Sequence, residues 1–219
     1  MPFINQLLVY AIPLLFAIIF HEVAHGWVAL MFGDSTAKQL GRLSLNPVKH
    51  IDPLGTIGVP LLFLFISQFS LVFGWAKPVP VTQSNLRKPR FHMVLVSLGG
   101  PVANLLMAIF WGGLASIGIY LFNTHALQPR YLEAMISIGQ AGILINIVLM
   151  VLNLIPLPPL DGGKVVSNLL PKQWAYYYDQ IEPYGLLILI LLLVTGILGF
   201  VLRYFVGHIY HYLSILLGL

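Results

Sequence analysis

Residues 21–25 read His21-Glu22-Val23-Ala24-His25, the H-E-x-x-H pattern in which two histidines bind one zinc ion and the glutamate acts as general base toward a metal-bound water. The spacing carries the chemistry. On a helix, positions i and i+4 stack on one face, so His21 and His25 offer two imidazole nitrogens to one ion. Glu22 projects beside them, about a third of a turn from His21. The pattern also arises by chance in unrelated helices, and here its surroundings decide. It lies inside an apolar run from Leu7 to Phe32 that is otherwise free of charge. A glutamate and two histidines in hydrocarbon cost on the order of several kcal/mol unless paired or metal-bound. A zinc ion supplies the missing partner.

Two imidazoles do not complete a catalytic zinc site, which usually has three protein ligands and one open position. The chain has no cysteine, so thiolate ligands and disulfides are excluded, and only seven acidic residues are available. Asp161 is the candidate third ligand, because it follows a proline-broken helix end and precedes two glycines that allow close approach. Its alternative role is to cap the helix that starts at Gly162 or Lys164. Glu133 and Glu182, the remaining glutamates, fall in loops and would serve only a differently built zinc hydrolase. His208 and His211 read as interfacial, and His50, His92 and His125 as solvated loop residues.

The elements that must position these groups belong in a membrane. Of 219 residues 58% are hydrophobic and 8% charged, with mean hydropathy +0.90, whereas a soluble domain carries about 25% charged residues. At that density a net charge of +4 speaks of membrane topology and not of nucleic-acid binding. Met1 to Phe32 reads as a retained first span with Pro13 as a kink, since no basic n-region or cleavage site marks a signal peptide. Residues 34–52 alternate like a small surface β-hairpin. Leu54 to Phe73 is long enough to span but is broken by Gly55, Gly58 and Pro60, and the Pro-alternating piece that follows suits an extended edge. Phe91 to Phe122 and Ala134 to Leu157 are further spans, joined by a loop from Asn123 to Glu133. Asn104 and Asn146 stand as polar groups inside them. An aromatic, interfacial linker leads to a last clear span, Tyr184 to Leu202, after which residues 203–219 either continue the span or lie on the surface. The expected fold is an all-α polytopic membrane protein with about four to five transmembrane helices, a re-entrant segment and a small surface β-hairpin.

Depth adds a constraint. The histidine pair lies past the middle of the first span and Asp161 beyond the far end of another, so the ligands meet only if those two helices run parallel. A full crossing by Leu54 to Phe73 would make them antiparallel, so that segment is expected to be re-entrant, which its Gly and Pro content permits. The basic residues agree, with Lys38, Arg42 and Lys49 before it and Lys77, Arg87, Lys88 and Arg90 after it, all on the cytoplasmic side by the positive-inside rule.

His21-Glu22-Val23-Ala24-His25, Gly99-Gly100-Pro101-Val102-Ala103-Asn104 and Asn153-Leu154-Ile155-Pro156-Leu157-Pro158-Pro159-Leu160-Asp161-Gly162 together resemble the site-2 protease family of intramembrane zinc metalloproteases, in its compact prokaryotic form without a PDZ domain. The resemblance runs from the first span through Gly163. It implies one zinc ion per chain held by His21, His25 and Asp161, with Glu22 as the base. It also implies that Asn153 orients substrate or stabilises the oxyanion, that Asn104 supports the site, and that a surface strand from Trp75 to Val81 holds an unwound substrate. One membrane-embedded domain would cover 1–219, with a catalytic core of about 7–165 and a C-terminal helical segment, 184–219. The substrate would be a transmembrane-helix protein in the same bilayer, in a prokaryotic inner membrane, with the active site toward the cytoplasm. The competing function is an ion or metal transporter built on the same His/Glu/Asp cluster.

Overall fold

In hydrocarbon a backbone must satisfy its own hydrogen bonds, so apolar runs of this length become helices. The computed structural model describes residues 2–58, 77–125 and 128–219. Its helices are α1 (Pro2–Met31), α2 (Thr36–Gln39), α3 (Pro89–Asn123), α4 (Pro129–Asn153), α5 (Asp161–Leu169), α6 (Lys172–Asp179), α7 (Gly185–Val194) and α8 (Ile197–Leu217). Among the described residues, five helical stretches are long and apolar enough to cross a membrane: Leu8–Met31, Pro89–Asn123, Pro129–Asn153, Lys172–Val194 and Ile197–Leu217.

Packing begins where α3 meets α4. A Cβ on Gly142 would lie 2.2 Å from Trp111 Cγ, and one on Gly139 2.7 Å from the Ala115 Cβ, so these glycines let the two backbones approach. Trp111, Ile143, Ile147 and Met150 form a buried cluster that α8 closes with Val206 and Leu213. α1 packs on the other side. Side-chain hydrogen bonds link Asn104 to Ala17 and His21, and His25 to Val96, so ascending α1 descends α3. Asn146 lies beside Asn104, Gly142 beside Trp111 and Gly139 beside Ala115, so α4 is also antiparallel to α3. Hence α1 and α4 run parallel, as convergence of the ligands requires. The segment invoked to produce this arrangement falls largely on residues 59–76, outside the described residues. Its described flanks meet, with Lys77 N donating to His50 O at 2.9 Å.

Several elements differ from the sequence expectation. Among the described residues no strand is present, and 34–52 hold α2 and a 3₁₀ turn, Pro47–His50, instead of a hairpin. The alternating pattern there is overridden by local capping, since Asn46 Oδ1 accepts Val48 N at 3.1 Å and Pro47 opens the turn. Pro129 starts α4 inside the expected loop. The span placed at 184–202 is broken at Thr195 and Gly196: Gly196 takes φ 78°, and residues 203–217 belong to a separate helix, α8. His50 and His92 are buried, not solvated. His50 Nε2 donates to Ser44 O at 2.7 Å, and the His92 ring stacks on Phe32.

The end of α1 is tied to the chain entering α3 by Asp34, which is 1% exposed. Its Oδ1 accepts from Thr36 N, Thr36 Oγ1 and Asn85 Nδ2, and its Oδ2 accepts Thr82 N at 2.7 Å. Burial pushes this carboxyl up, but the hydrogen bonds from Thr36, Thr82 and Asn85 outweigh it and hold the group below the usual carboxylate range. The stability it contributes is therefore present above the unfolded-state value of about 3.9 and is lost as pH falls through the lower folded-state value. Asp34→Asn cannot accept on both sides, and is expected to cost about 1–3 kcal/mol at pH 7. Thermal unfolding in detergent checks this, because the gap between variant and wild type should narrow as pH drops below about 4; a gap independent of pH would count against it.

Candidate metal centre

His21 and His25 lie on the face of α1 turned toward α3, where each is 8% exposed. Their rings are oriented from behind. His25 Nδ1 is 2.7 Å from Val96 O, a carbonyl that can only accept, so Nδ1 carries the proton. His21 Nδ1 is 2.6 Å from Asn104 Oδ1. The amide of Asn104 is oriented because its Nδ2 donates to Ala17 O at 3.2 Å and to Asn146 Oδ1 at 3.1 Å. Asn146 is oriented in turn by donation to Gly142 O at 2.8 Å. This chain of bonds ends on backbone carbonyls and keeps Nδ1 of both rings occupied, so that Nε2 is the electron-pair donor of each neutral imidazole.

Those two Nε2 atoms are 3.1 Å apart, and Asp161 Oδ2 lies 3.1 Å from each. With the rings neutral, three electron-pair donors thus face one another in a buried space, an arrangement suited to a cation among them. Its dimensions suit zinc. Bonds of about 2.0–2.1 Å in a tetrahedron separate neighbouring ligand atoms by about 3.3–3.4 Å. The three residues form a group able to hold a metal ion, and the donor set of two imidazoles and one carboxylate fits zinc chemistry.

Small residues make this convergence possible. A Cβ on Gly100 would stand 2.5 Å from both His21 Cε1 and His25 Nε2, and one on Gly99 3.3 Å from Ala24 O. Asp161 opens α5, whose cap position is Leu160 with no side-chain capping bond, so the capping alternative does not describe it. Gly162 and Gly163 let α5 fold back on the preceding turn, since their Cβ atoms would lie 2.4 Å from Leu154 O and 2.5 Å from Pro158 N. The far end of α5 is held by Arg90, which donates to Ser167 O at 3.1 Å and to Leu170 O, and by Gln83, which donates to Asn168 Oδ1 at 2.6 Å. Lys164 Nζ lies 3.3 Å from Asp161 Oδ1, engaging that oxygen and leaving Oδ2 toward the histidines.

The group opens into a cavity of about 440 Å³ lined by Glu22, Val79, Met93, Ser97, Asn153 and Lys164 among others. Glu22 Oε2 accepts Val79 N at 2.8 Å. The segment carrying Val79 has no regular secondary structure from Lys77 to Thr82. It is fixed by Arg42, which donates to Lys77 O at 2.8 Å, and by Thr82 N on Asp34. The surface strand expected from Trp75 to Val81 is thus an irregular segment over its described part, 77–81; Trp75 and Ala76 lie outside the described residues. Asn153 lines the cavity with its Nδ2 donating to Leu149 O at 3.0 Å.

The five residues singled out in the sequence, His21, Glu22, His25, Asn153 and Asp161, all line this cavity. Two further groups orient the ligands: Asn146, marked in the sequence only as an amide in mid-span, and the Val96 carbonyl, which has no sequence signal. Asn104→Leu should leave His21 Nδ1 without its acceptor and weaken zinc binding about 10–100-fold. Competition with a fluorescent zinc chelator measures this, and unchanged affinity would remove Asn104 from the ligand-orienting role.

The model of peptidase family M50 matches residues 9–195. The chain is 40% identical over 196 residues to a Bacillus subtilis protein named "Putative zinc metalloprotease YwhC", covering 87% of this chain and 82% of that one. It is 30% identical over 186 residues to "Putative zinc metalloprotease Rip2" of Mycolicibacterium smegmatis, covering 84% and 66%, and 26% identical over 191 residues to the Mycobacterium tuberculosis protein of the same name, covering 87% and 67%. No solved structure matches. These matches favour a peptidase over the transport alternative. The chain belongs to peptidase family M50, the site-2 protease family whose motifs it carries.

Proposed function

We propose that this protein is an intramembrane zinc metalloendopeptidase that hydrolyses a peptide bond in or near a transmembrane helix of a membrane-protein substrate. The observation that carries the reading is the meeting of two outward-anchored imidazoles and one carboxylate at 3.1 Å spacing beside a glutamate in the same cavity. His21, His25 and Asp161 are the proposed ligands of one zinc ion. When bound, zinc supplies Lewis acidity that makes water nucleophilic near neutral pH and polarises a carbonyl.

Glu22 is the proposed general base. It takes a proton from the attacking water and returns it to the leaving amine. Val79 N holds one of its oxygens at 2.8 Å, which fixes the carboxylate and keeps its other oxygen for the proton. Asn153 spends one N–H on Leu149 O, and its second N–H is the proposed donor to the developing oxyanion. A substrate helix hides its carbonyls in its own hydrogen bonds, so it must unwind before attack, and helix-breaking residues near the cleaved bond are the expected substrate feature. The segment 77–82 is the proposed surface along which unwound substrate lies.

The site is proposed to face the cytoplasm of a prokaryote, because the basic residues of 38–49 and 77–90 gather at the end of α1 and start of α3. Cysteines introduced at positions 77–90 that react only from the outer side would reject this orientation. Activity is tested with the purified chain and a single-span substrate in vesicles. Cleavage should require zinc, and cleavage that persists after zinc is stripped would reject the mechanism.

A further inference from the structure

Ser97 is 1% exposed, and its Oγ has no hydrogen-bond partner. Some other hydroxyls of the chain bond the carbonyl four residues back, as Ser116 does to Gly112 O, Ser137 to Glu133 O and Thr195 to Leu191 O. Ser97 does not, and it lines the catalytic cavity together with Met93 and Val96, on the same face of α3 as Gly100. Ser214 is a second buried hydroxyl without a partner, but it does not line this cavity. The helix ladder is also open at Ser97. Four residues on stands Pro101, which has no N–H to give the Ser97 carbonyl.

A buried polar group left unpaired costs stability unless something bonds it when the protein works. An unwound substrate brings the complementary deficit, because its carbonyl and N–H groups have lost their helical partners in a medium without water. The segment bearing Val79 lines the same cavity as this face of α3, so a peptide seated there would present main-chain groups to both. We infer that Ser97 Oγ donates a hydrogen bond to a main-chain carbonyl oxygen of the unwound substrate next to the cleaved bond, making Ser97 a substrate-positioning residue of the site. The inference rests on the peptidase reading above. Serine does not titrate here, so its role is orientation without proton transfer.

The test compares wild type, Ser97→Ala, Ser97→Cys and Glu22→Gln on a fluorescently labelled single-span polypeptide with a Gly-Pro pair in its span, reconstituted in phosphatidylethanolamine and phosphatidylglycerol vesicles. Ser97→Ala should lower kcat/KM about 10–100-fold, with an unchanged pH profile, unchanged zinc content and a melting temperature equal to or above wild type. Ser97→Cys keeps the shape with a weak donor and should fall with Ser97→Ala. Cleavage by Ser97→Ala within twofold of wild type overturns the inference alone, as does a loss of activity that tracks a lowered melting temperature or lost zinc. If wild type leaves the polypeptide intact, the peptidase reading and the inference fall together.

Discussion

Glu22→Gln is expected to keep its zinc and its fold while losing about 10²–10⁴-fold in turnover, the range for a removed general base. The two side chains have the same shape, and the amide oxygen of glutamine can still accept Val79 N, the bond that Glu22 Oε2 makes at 2.8 Å. What glutamine cannot do is receive a proton from water or deliver one to the leaving amine. The ligand atoms belong to His21, His25 and Asp161, none of which this change touches. Turnover measured beside zinc content on the same preparation separates the two roles. Cleavage within tenfold of wild type would remove Glu22 as the base, and loss of zinc would mean that the carboxylate is part of the metal group.

Gly100→Ala should disable the same centre by crowding it. The added methyl would stand 2.5 Å from His25 Nε2 and His21 Cε1 and 2.7 Å from His21 Nδ1, well inside van der Waals contact. Those rings have nowhere to retreat without breaking the bonds of Nδ1 to Val96 O and Asn104 Oδ1. Overpacking of this kind costs about 1–3 kcal/mol of stability. The larger consequence is displacement of two ligand nitrogens, expected to lower zinc affinity by about 100-fold or more and activity with it. Gly113→Ala on the same helix is the control, since nothing lies within 4 Å of its added Cβ. Isothermal zinc titration of the two variants should show loss only at position 100, and equal affinities would contradict the close packing of α3 on the histidine pair.

The centre was legible because its chemistry forces residue types into short stretches. Two histidines must be four apart to share a helix face, Gly100 must be small to admit them, and Asn104 must carry an amide one turn further along. The parallel run of α1 and α4 was also legible, as a demand that Asp161 reach the histidines. Groups that act through their backbone left no trace, and the Val96 carbonyl behind His25 is the clearest case. Period-2 alternation in 41–47 suggested strands, yet the chain there is governed by the Asn46 cap and by the bonds of Asn46 N to Ser44 Oγ and of His50 to Ser44 O, local side-chain-to-backbone bonds that compete with pairing. The break at Gly196 was hidden for a different reason. A glycine in an apolar run is compatible with an unbroken helix, and only its φ of 78° distinguishes two helices from one.

The most direct measurement is zinc per chain, by mass spectrometry of metal content, in wild type and in Asp161→Ala purified and dialysed together. Wild type is expected to hold one zinc and the variant almost none, because Asp161 supplies the oxygen that lies 3.1 Å from both imidazole nitrogens. Equal zinc in the two proteins, with the variant still folded, would contradict it.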